Sequence, residues 1–211
     1  MKKIYFIRHG ESEDNEKAVL QGHDSSLTDN GRKQSLFVAE KLAKSLIDVV
    51  ISSPIKRAKE TADIIVKKIN RPLETSDLLM ERRRPKEQIG KSLNDPEILR
   101  IEGIIKNNFH IENFRFSDEE NFEDLKNRAA RALVFLQARP EQNILAVTHG
   151  FFMAVIMAYL IFGDKLTGHE CRQFTQKFHM ENTGITVLNL ERKESGLSWK
   201  LSVWNDQAHL S

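Results

Sequence analysis

Short segments rich in β-forming residues alternate along the chain with longer segments whose apolar residues recur every three or four positions. The first kind predicts buried β-strands and the second predicts amphipathic helices. The segments that predict strands are 3–7, 48–52, about 73–75, 143–148, 184–190 and 197–204. We expect the last two to form a closing pair around a turn at 194–196. This alternation favours an α/β fold whose mostly parallel, mixed sheet is covered by helices on both faces.

Two helices are predicted in the first third of the chain. One runs from a turn with cap residues at 27–31 to about Ser45, and the next runs from a cap at Ser53 and Pro54 to about Lys68. The spacing predicts that each helix turns one apolar face inward. The residues of these two faces are Leu36, Ala39, Leu42, Ala43 and Leu46, and then Ala58, Ala62, Ile65 and Ile69.

Two more helices are predicted further along, after an irregular and polar segment at 82 to about 117. Ser117 and Asp118 are expected to open a long amphipathic helix. Its inward residues are Phe122, Leu125, Ala129, Leu133 and Leu136. The apolar run 151–162 is shorter than the roughly 20 residues of a membrane span, so it predicts a helix buried in the core.

Length and composition indicate an ordinary globular protein with one domain, residues 1–211. The formal charge of +2 gives no reason to expect nucleic acid or a membrane surface as a partner. Cys171 is the one cysteine, which excludes an internal disulfide and favours a reducing, cytoplasmic setting. The apolar run at 4–7 is too short for a signal peptide, so we expect none.

Polar residues follow the predicted strands at the points where the strands end. Segments 4–10 and 144–150 have similar sequences, and both end in His-Gly, at His9 and at His149-Gly150. Because ligands of parallel sheets lie beyond the carboxyl ends of the strands, these residues are expected to meet at one edge of the sheet. The glycines allow the backbone to approach a ligand closely.

The same edge is expected to collect two arginines and a carboxyl group. Arg8 precedes the first His-Gly, Arg57 lies in the first turn of the helix after the second strand, and Glu81 follows the third strand. Arginine binds the oxygens of a transferring phosphoryl group, neutral imidazole is a nucleophile, and a carboxylic acid can protonate a leaving oxygen. These residue types indicate phosphoryl transfer without a metal or other cofactor, and they leave open which histidine attacks.

The ordered set of motifs resembles the histidine phosphatase superfamily, in its phosphoglycerate-mutase-like branch. The motifs are Arg8-His9-Gly10-Glu11, Asn15, Leu27-Thr28-Asp29-Asn30-Gly31, Ser52-Ser53, Arg57-Ala58, Thr61-Ala62, Glu81 and His149-Gly150. The resemblance implies a mixed α/β sheet with a cap insertion after the third strand, at about 82–117. It also implies a phosphorylated small-molecule substrate.

The resemblance also implies a role for each residue of the site. His9 matches the nucleophile that becomes phosphorylated, and Glu81 matches the proton donor. Arg8, Arg57 and His149 match the phosphate pocket, together with Asn15 and the backbone at Gly150. The favoured function is a phosphatase that works through a phosphohistidine. The alternatives are a mutase with the same site and a module that binds a phosphorylated ligand without turnover.

Three other features are open to two interpretations. The run Arg82-Arg83-Arg84 replaces the Arg-His-Tyr-Gly stretch of the cofactor-dependent mutases, and it is either a binding site for a second anionic group or a solvated loop. Asn182 and Thr183 are better explained as a cap before a strand than as part of the pocket rim. The spacing of His169, Cys171 and His179 fits no usual zinc site.

Overall fold

The sheet of the computed structural model, which describes residues 1–194 and 196–210, has six strands in the order β3-β2-β4-β1-β5-β6. The strands are β1 (Lys2–Arg8), β2 (Val49–Ser52), β3 (Leu73–Thr75), β4 (Asn143–Thr148), β5 (Ile185–Lys193) and β6 (Gly196–Asp206). The first four pair in parallel with one another, whereas β5 pairs antiparallel with both β1 and β6. The predicted α/β class with a mostly parallel, mixed sheet is confirmed. The turn predicted between the last two strands includes Ser195, which lies outside the described residues.

Helices pack on both faces of this sheet. They are α1 (Glu13–Glu16), α2 (Asp29–Leu42), α3 (Lys56–Ile69), α4 (Pro96–Asn108), α5 (Phe122–Ala138), α6 (Gly150–Phe162) and α7 (Gly168–Lys177). Successive strand residues point to opposite faces, so β4 contributes to two cores. Ile144 and Ala146 pack with α5 and α6, whereas Leu145 and Val147 pack with α2 and α3. Among the described residues, no helix is long and apolar enough to cross a membrane.

The predicted inward face of α2 is only partly right. Ala39 and Leu42 are buried, but the other three predicted residues, Leu36, Ala43 and Leu46, are exposed. The observed face is made of Gly31, Ser35, Val38, Ala39 and Leu42. The helix is turned this way because Gly31 packs against the backbone of Glu11, which apolar periodicity alone does not reveal.

The starts of two helices also differ from the prediction. α3 begins at Lys56, and Ser53 accepts the N–H of Ile55 instead of capping the helix. α5 begins at Phe122, because Asn121 and Asp124 form a reciprocal capping box that stops the helix from extending back to residue 117.

The segment 82–117 is less irregular than its polar sequence suggests. It contains α4, which has Pro96 at its start and an Asp95 cap, and whose apolar side packs in a small core with Leu20. This segment follows β3 along the chain, where the cap insertion is expected. The ten-residue helix α7 was not predicted either. Both helices line the smaller of the two cavities described below.

The register of the parallel strands brings the predicted site residues together. Arg8 pairs with Thr148 and Ser52 pairs with Val147, so β1, β2 and β4 end at the same level. The first residue past β1 continues the pairing, because the N–H of His9 donates to the carbonyl of Thr148 at 3.0 Å. The carboxyl edge of the sheet is therefore the place to look for a site.

We expect Gly31→Ala to destabilise the protein strongly. A Cβ at residue 31 would lie 2.0 Å from the carbonyl oxygen of Glu11, so the loop after His9 would have to move away from α2. Overpacking of this kind typically costs about 1–3 kcal/mol. Urea unfolding should show this loss. Gly103→Ala is the control, because a Cβ there meets nothing within 4 Å and should raise stability by about 0.5–1 kcal/mol. Equal effects at both positions would contradict the close approach.

Candidate active site

His9 lies just past the end of β1 with one ring nitrogen committed to the backbone. Its Nδ1 is 2.7 Å from the carbonyl oxygen of Gly10, and because a carbonyl only accepts, Nδ1 carries the proton. Nε2 therefore has the free lone pair, and it accepts a hydrogen bond from Nε of Arg57 at 3.1 Å. The local backbone thus selects the tautomer in which Nε2 is the nucleophilic atom.

The surroundings of His9 keep its imidazole neutral. The side chain is buried, and burial together with the charges of Arg57 and Arg8 holds its pKa well below the usual value of 6.5. Only the hydrogen bond to Gly10 acts in the opposite direction. At neutral pH the ring therefore keeps the lone pair that nucleophilic attack requires.

Two arginines present cationic donors beside this imidazole. Arg8 donates from Nη1 to the carbonyl of Met180 at 2.6 Å, and its Nε is buried without a partner among the described residues. Arg57 is 1% exposed and donates from Nη1 to the carbonyl of Gly22 at 2.7 Å. Burial lowers the pKa of Arg57 to about 10 and also lowers the pKa of Arg8, while the charge of Glu81 partly offsets both shifts.

His149 lies next to His9, with 5.1 Å between the two ring centroids. It is fully buried, its Nε2 is 2.9 Å from the hydroxyl of Ser53, and its Nδ1 has no partner among the described residues. Burial, followed by the charge of Arg57, holds the pKa of His149 well below the usual value. The second His-Gly motif thus places another neutral imidazole beside that of His9.

Glu81 is held by the beginning of α6. Its Oε1 accepts the N–H groups of Arg82 at 2.8 Å and Phe152 at 3.1 Å, and its Oε2 accepts the N–H of Phe151 at 3.3 Å. The first turn of a helix has unpaired N–H groups and a partial positive charge, so it is a natural seat for a carboxylate. A residue of an irregular segment is thereby brought to the edge of the sheet.

These residues line a cavity of about 830 Å³ at the carboxyl edge of the sheet. Six of the seven predicted site residues are on its wall, namely Arg8, His9, Asn15, Arg57, Glu81 and Gly150. The seventh, His149, lies behind the wall beside His9. At Gly150 a Cβ would approach Cδ of Arg8 to 3.3 Å, so the glycine leaves room for that arginine.

The sequence analysis assigned no role in the site to Asn182 and Thr61, which hold His9 and its loop in place. The side-chain amide of Asn182 donates to the carbonyl of His9 at 2.9 Å, so this residue does reach the site. The hydroxyl of Thr61 accepts the N–H of Gly10 at 3.0 Å and donates to the carbonyl of Arg57 at 2.8 Å. Thr61 lies four residues after Arg57 on α3, and it is part of the ordered motifs, but no role was assigned to it from the sequence.

The three consecutive arginines have three different environments. The guanidinium of Arg82 is 9% exposed, lies 4.6 Å from the ring centroid of Phe151, and has its pKa lowered to about 10 by burial. Arg84 pairs with Glu102 of α4 at 2.5 Å. Arg83 is exposed and donates to a backbone carbonyl. All three line the cavity. Because Arg83 is the exposed one of the three, the solvated-loop interpretation describes Arg83 alone.

A smaller, mostly apolar cavity of about 370 Å³ adjoins the main one. It lies between α4, α6 and α7, and it shares Arg82, Arg84 and Phe151 with the main cavity. Residues of the segment at 82–117 therefore form part of the wall of both cavities.

Within residues 1–194 and 196–210, no group of three or more His, Cys, Asp or Glu side chains is arranged to hold a metal ion. Cys171 is buried in the core, and burial raises the pKa of its thiol to about 12. It therefore packs as a small apolar residue.

Comparison with known proteins identifies the family. The family model of the histidine phosphatase superfamily (branch 1) matches residues 4–207. A metal-independent phosphoserine phosphatase from Arabidopsis thaliana is 29% identical over 99% of this chain and 83% of its own length. Phosphoglycerate mutase-like protein 4 from the same plant is 30% identical over 99% and 86%. The solved structure of YhfR from Bacillus stearothermophilus covers both chains fully, with a TM-score of 0.84 and 25% identity.

The chain therefore belongs to the histidine phosphatase superfamily, branch 1, and the predicted resemblance is confirmed. Its class of activity is that of a phosphoric monoester hydrolase. The individual roles of the site residues remain predictions, which the geometry above makes specific.

We expect the free energy of unfolding to fall as the pH is lowered from 7 to 5.5. The pKa values of His9 and His149 are depressed in the folded chain, whereas an unfolded histidine titrates near about 6.5. Below that pH the unfolded chain binds protons that the folded chain does not, so protonation favours unfolding. Each such histidine contributes a slope of up to about 1.4 kcal/mol per pH unit.

Denaturant unfolding at several pH values measures this slope. His149→Gln should reduce the slope, because it removes one buried group that titrates only after unfolding. His23→Gln is the matched control, since His23 is exposed and its replacement should leave the slope unchanged. A His149→Gln slope equal to that of the wild type would contradict the burial of a neutral imidazole at this position.

Proposed function

We propose that this protein hydrolyses phosphate monoesters in two steps, with His9 as the nucleophile and Glu81 as the proton donor. One observation carries the proposal. The neutral His9 directs its Nε2 lone pair toward the buried Arg57, on the wall of a cavity that Arg8 and Glu81 also line.

In the first step, Nε2 of His9 attacks phosphorus and the bond from phosphorus to the ester oxygen breaks. Glu81 must enter this step protonated, and it gives its proton to that oxygen, so the alcohol leaves in neutral form. The phosphoimidazole carries a positive charge that the hydrogen bond from Nδ1 to the Gly10 carbonyl favours. Arg8, Arg57 and His149 hold the phosphoryl oxygens, assisted by Asn15 and the backbone at Gly150.

In the second step, the ionised Glu81 accepts a proton from water while the water oxygen attacks phosphorus. The bond between phosphorus and Nε2 then breaks, and His9 returns to its neutral form with inorganic phosphate as the product. The protein supplies the positive charge itself, so we propose that neither step needs a metal. The relative named as a metal-independent phosphoserine phosphatase supports this part of the proposal.

The hydrogen bond between Arg57 and His9 has a direct role in this scheme. In the chain without ligand, Nε of Arg57 occupies the lone pair that must attack. A phosphoryl oxygen is a better acceptor for a guanidinium than a neutral imidazole is, because the bond joins opposite charges. We therefore expect substrate binding to transfer the hydrogen bond of Arg57 from His9 to a phosphoryl oxygen, which frees the nucleophile.

The positive charge on the cavity wall favours a substrate whose alcohol carries a second anionic group. Arg82, Arg83 and Lys86 add positive charge there, against the nearby carboxylate of Asp118. Phosphoserine has such a group, and one relative is named for its action on it. We therefore choose phosphoserine as the alkyl phosphate for the tests below.

The mutase alternative rests on the relative named phosphoglycerate mutase-like protein 4. The two activities differ only in what accepts the phosphoryl group from His9. A phosphatase transfers it to water, whereas a mutase returns it to another hydroxyl of a sugar acid. Slow hydrolysis together with transfer between such hydroxyl groups would favour the mutase.

Rapid quenching after mixing with labelled substrate should trap a phosphate label on His9. A phosphohistidine is acid-labile and stable to alkali, unlike a phosphoserine, so the two are easily told apart. His9→Ala should lose the label and the activity together, because it removes the nitrogen that we propose as the attacking atom. His149→Ala should still be labelled, but more slowly. A label of unchanged size in His9→Ala would overturn the assignment, whereas wild-type protein that shows neither label nor hydrolysis would favour the binding module without turnover.

Glu81→Gln should slow the hydrolysis of phosphoserine much more than that of p-nitrophenyl phosphate. An alkoxide is strongly basic and needs a proton to leave, whereas nitrophenolate leaves unaided, and general-acid help is typically worth about a hundredfold or more. The comparison must use the phosphorylation rate from single-turnover experiments, because Glu81 also acts in the second step.

Glu87→Gln is the control for this test, since Glu87 is an exposed carboxylate six positions further along the same segment. It should leave both rates nearly unchanged. Equal losses for the two substrates in Glu81→Gln would mean that Glu81 positions a group and that another residue donates the proton.

A further inference from the structure

Arg128 of α5 holds the backbone of the segment that carries Glu81. Its Nη1 donates to the carbonyl of Met80 at 2.6 Å and lies 3.4 Å from that of Leu78, while its Nη2 lies 3.5 Å from the carbonyl of Glu81. The side chain is 12% exposed. One guanidinium therefore contacts three carbonyls in the stretch between β3 and α4, from the 3₁₀ turn at Asp77–Leu79 to Glu81 itself.

The same guanidinium also packs against the residue that binds the carboxyl end of Glu81. Its central carbon lies 3.7 Å from the ring centroid of Phe152, in a cation–π contact. The N–H of Phe152 in turn donates to Oε1 of Glu81 at 3.1 Å. Arg128 thus contacts both the main chain of Glu81 and the helix turn on which its carboxylate rests.

Glu120 completes the arrangement from the other side of the segment. Its two oxygens accept from Nε and Nη2 of Arg128, each at 2.8 Å, in a bidentate pair. One of these oxygens also accepts the N–H of Arg83 at 2.9 Å, and the N–H of Glu120 donates to the Arg83 carbonyl at 3.0 Å. The pair therefore holds residues on both sides of Glu81.

We propose that the Arg128–Glu120 pair positions Glu81 for proton donation, an inference that rests on the proposed function. Arg128 does not line the cavity, so it acts through the backbone and through Phe152 and is a positioning residue. The planar guanidinium fork of an arginine has five N–H donors, so it can bind several carbonyls and a carboxylate at once. A lysine ammonium has three donors on a single atom.

The decisive measurement is the ratio of the single-turnover phosphorylation rates with phosphoserine and with p-nitrophenyl phosphate. Arg128→Met should lower this ratio by roughly tenfold or more, because even a small displacement of a catalytic group is costly. In a Glu81→Gln background the same substitution should lower the ratio no further, since the acid is already absent. Arg131→Met is the matched control, because Arg131 is exposed one turn later on α5 and should leave the ratio unchanged.

A second variant covers the case in which Arg128→Met does not fold because Glu120 loses its buried partner. Arg128→Lys keeps the charge but lacks the fork, and it should lower the ratio in the same direction by a smaller factor. If the folded variants slow both substrates equally, or only lower the melting temperature, Arg128 is a structural residue and the inference is wrong.

The test also separates this inference from the proposed function. If Glu81→Gln lowers the ratio and the Arg128 variants do not, only the positioning role fails. If Glu81→Gln itself leaves the ratio unchanged, the assignment of the acid fails, and Arg128 then has no acid to position.

Discussion

Arg57 donates from Nε to the Nε2 lone pair of His9 across 3.1 Å, in a place where both side chains are almost out of water. A buried guanidinium would usually be paired with a carboxylate, but Arg57 donates hydrogen bonds to an imidazole and to the carbonyl of Gly22. The arginine thus stays charged while its strongest possible partner, an anion, is still to come. Burial together with this charge holds the pKa of His9 well below its usual value, so one contact joins a neutral imidazole to a cationic donor.

The rest of the site follows from the need to hold this contact at the end of a sheet. The parallel pairing of β1 with β4 puts His9 and His149 side by side. Arg57 of α3 reaches the same edge and contacts His9. Neutral groups do most of the holding, such as the hydroxyl of Thr61, the amide of Asn182 and several backbone carbonyls. Neutral partners fix the geometry without cancelling the positive charge that a phosphoryl group requires.

Glu81 is held in a different way, because it belongs to no strand or helix. Its carboxylate accepts hydrogen bonds from N–H groups at the start of α6. Arg128 of α5 donates to the carbonyl of Met80, the residue before Glu81. The proposed acid therefore depends on two helices that are distant from it in sequence, whereas His9 directly follows β1 and is held by residues of α3 and by Asn182.

The sequence by itself determined the strands, the fold class and the residues that gather at the carboxyl edge. β3 and β4 begin and end as predicted, because short β-forming runs bounded by turns are local signals. The placement of His9, His149, Arg57 and Glu81 followed from the rule for parallel sheets, and the ordered motifs of the family were needed to choose between the two histidines.

Only the tertiary structure decided which face of α2 turns inward, where α4 lies, and how the three consecutive arginines differ. The face of α2 depends on the contact between Gly31 and Glu11, and the environment of Arg82 depends on Phe151 and Glu102. No pattern in the sequence indicated the positioning role that we propose for Arg128. Each of these features results from contacts between distant parts of the chain, and periodicity and spacing report only on what neighbours in sequence can do.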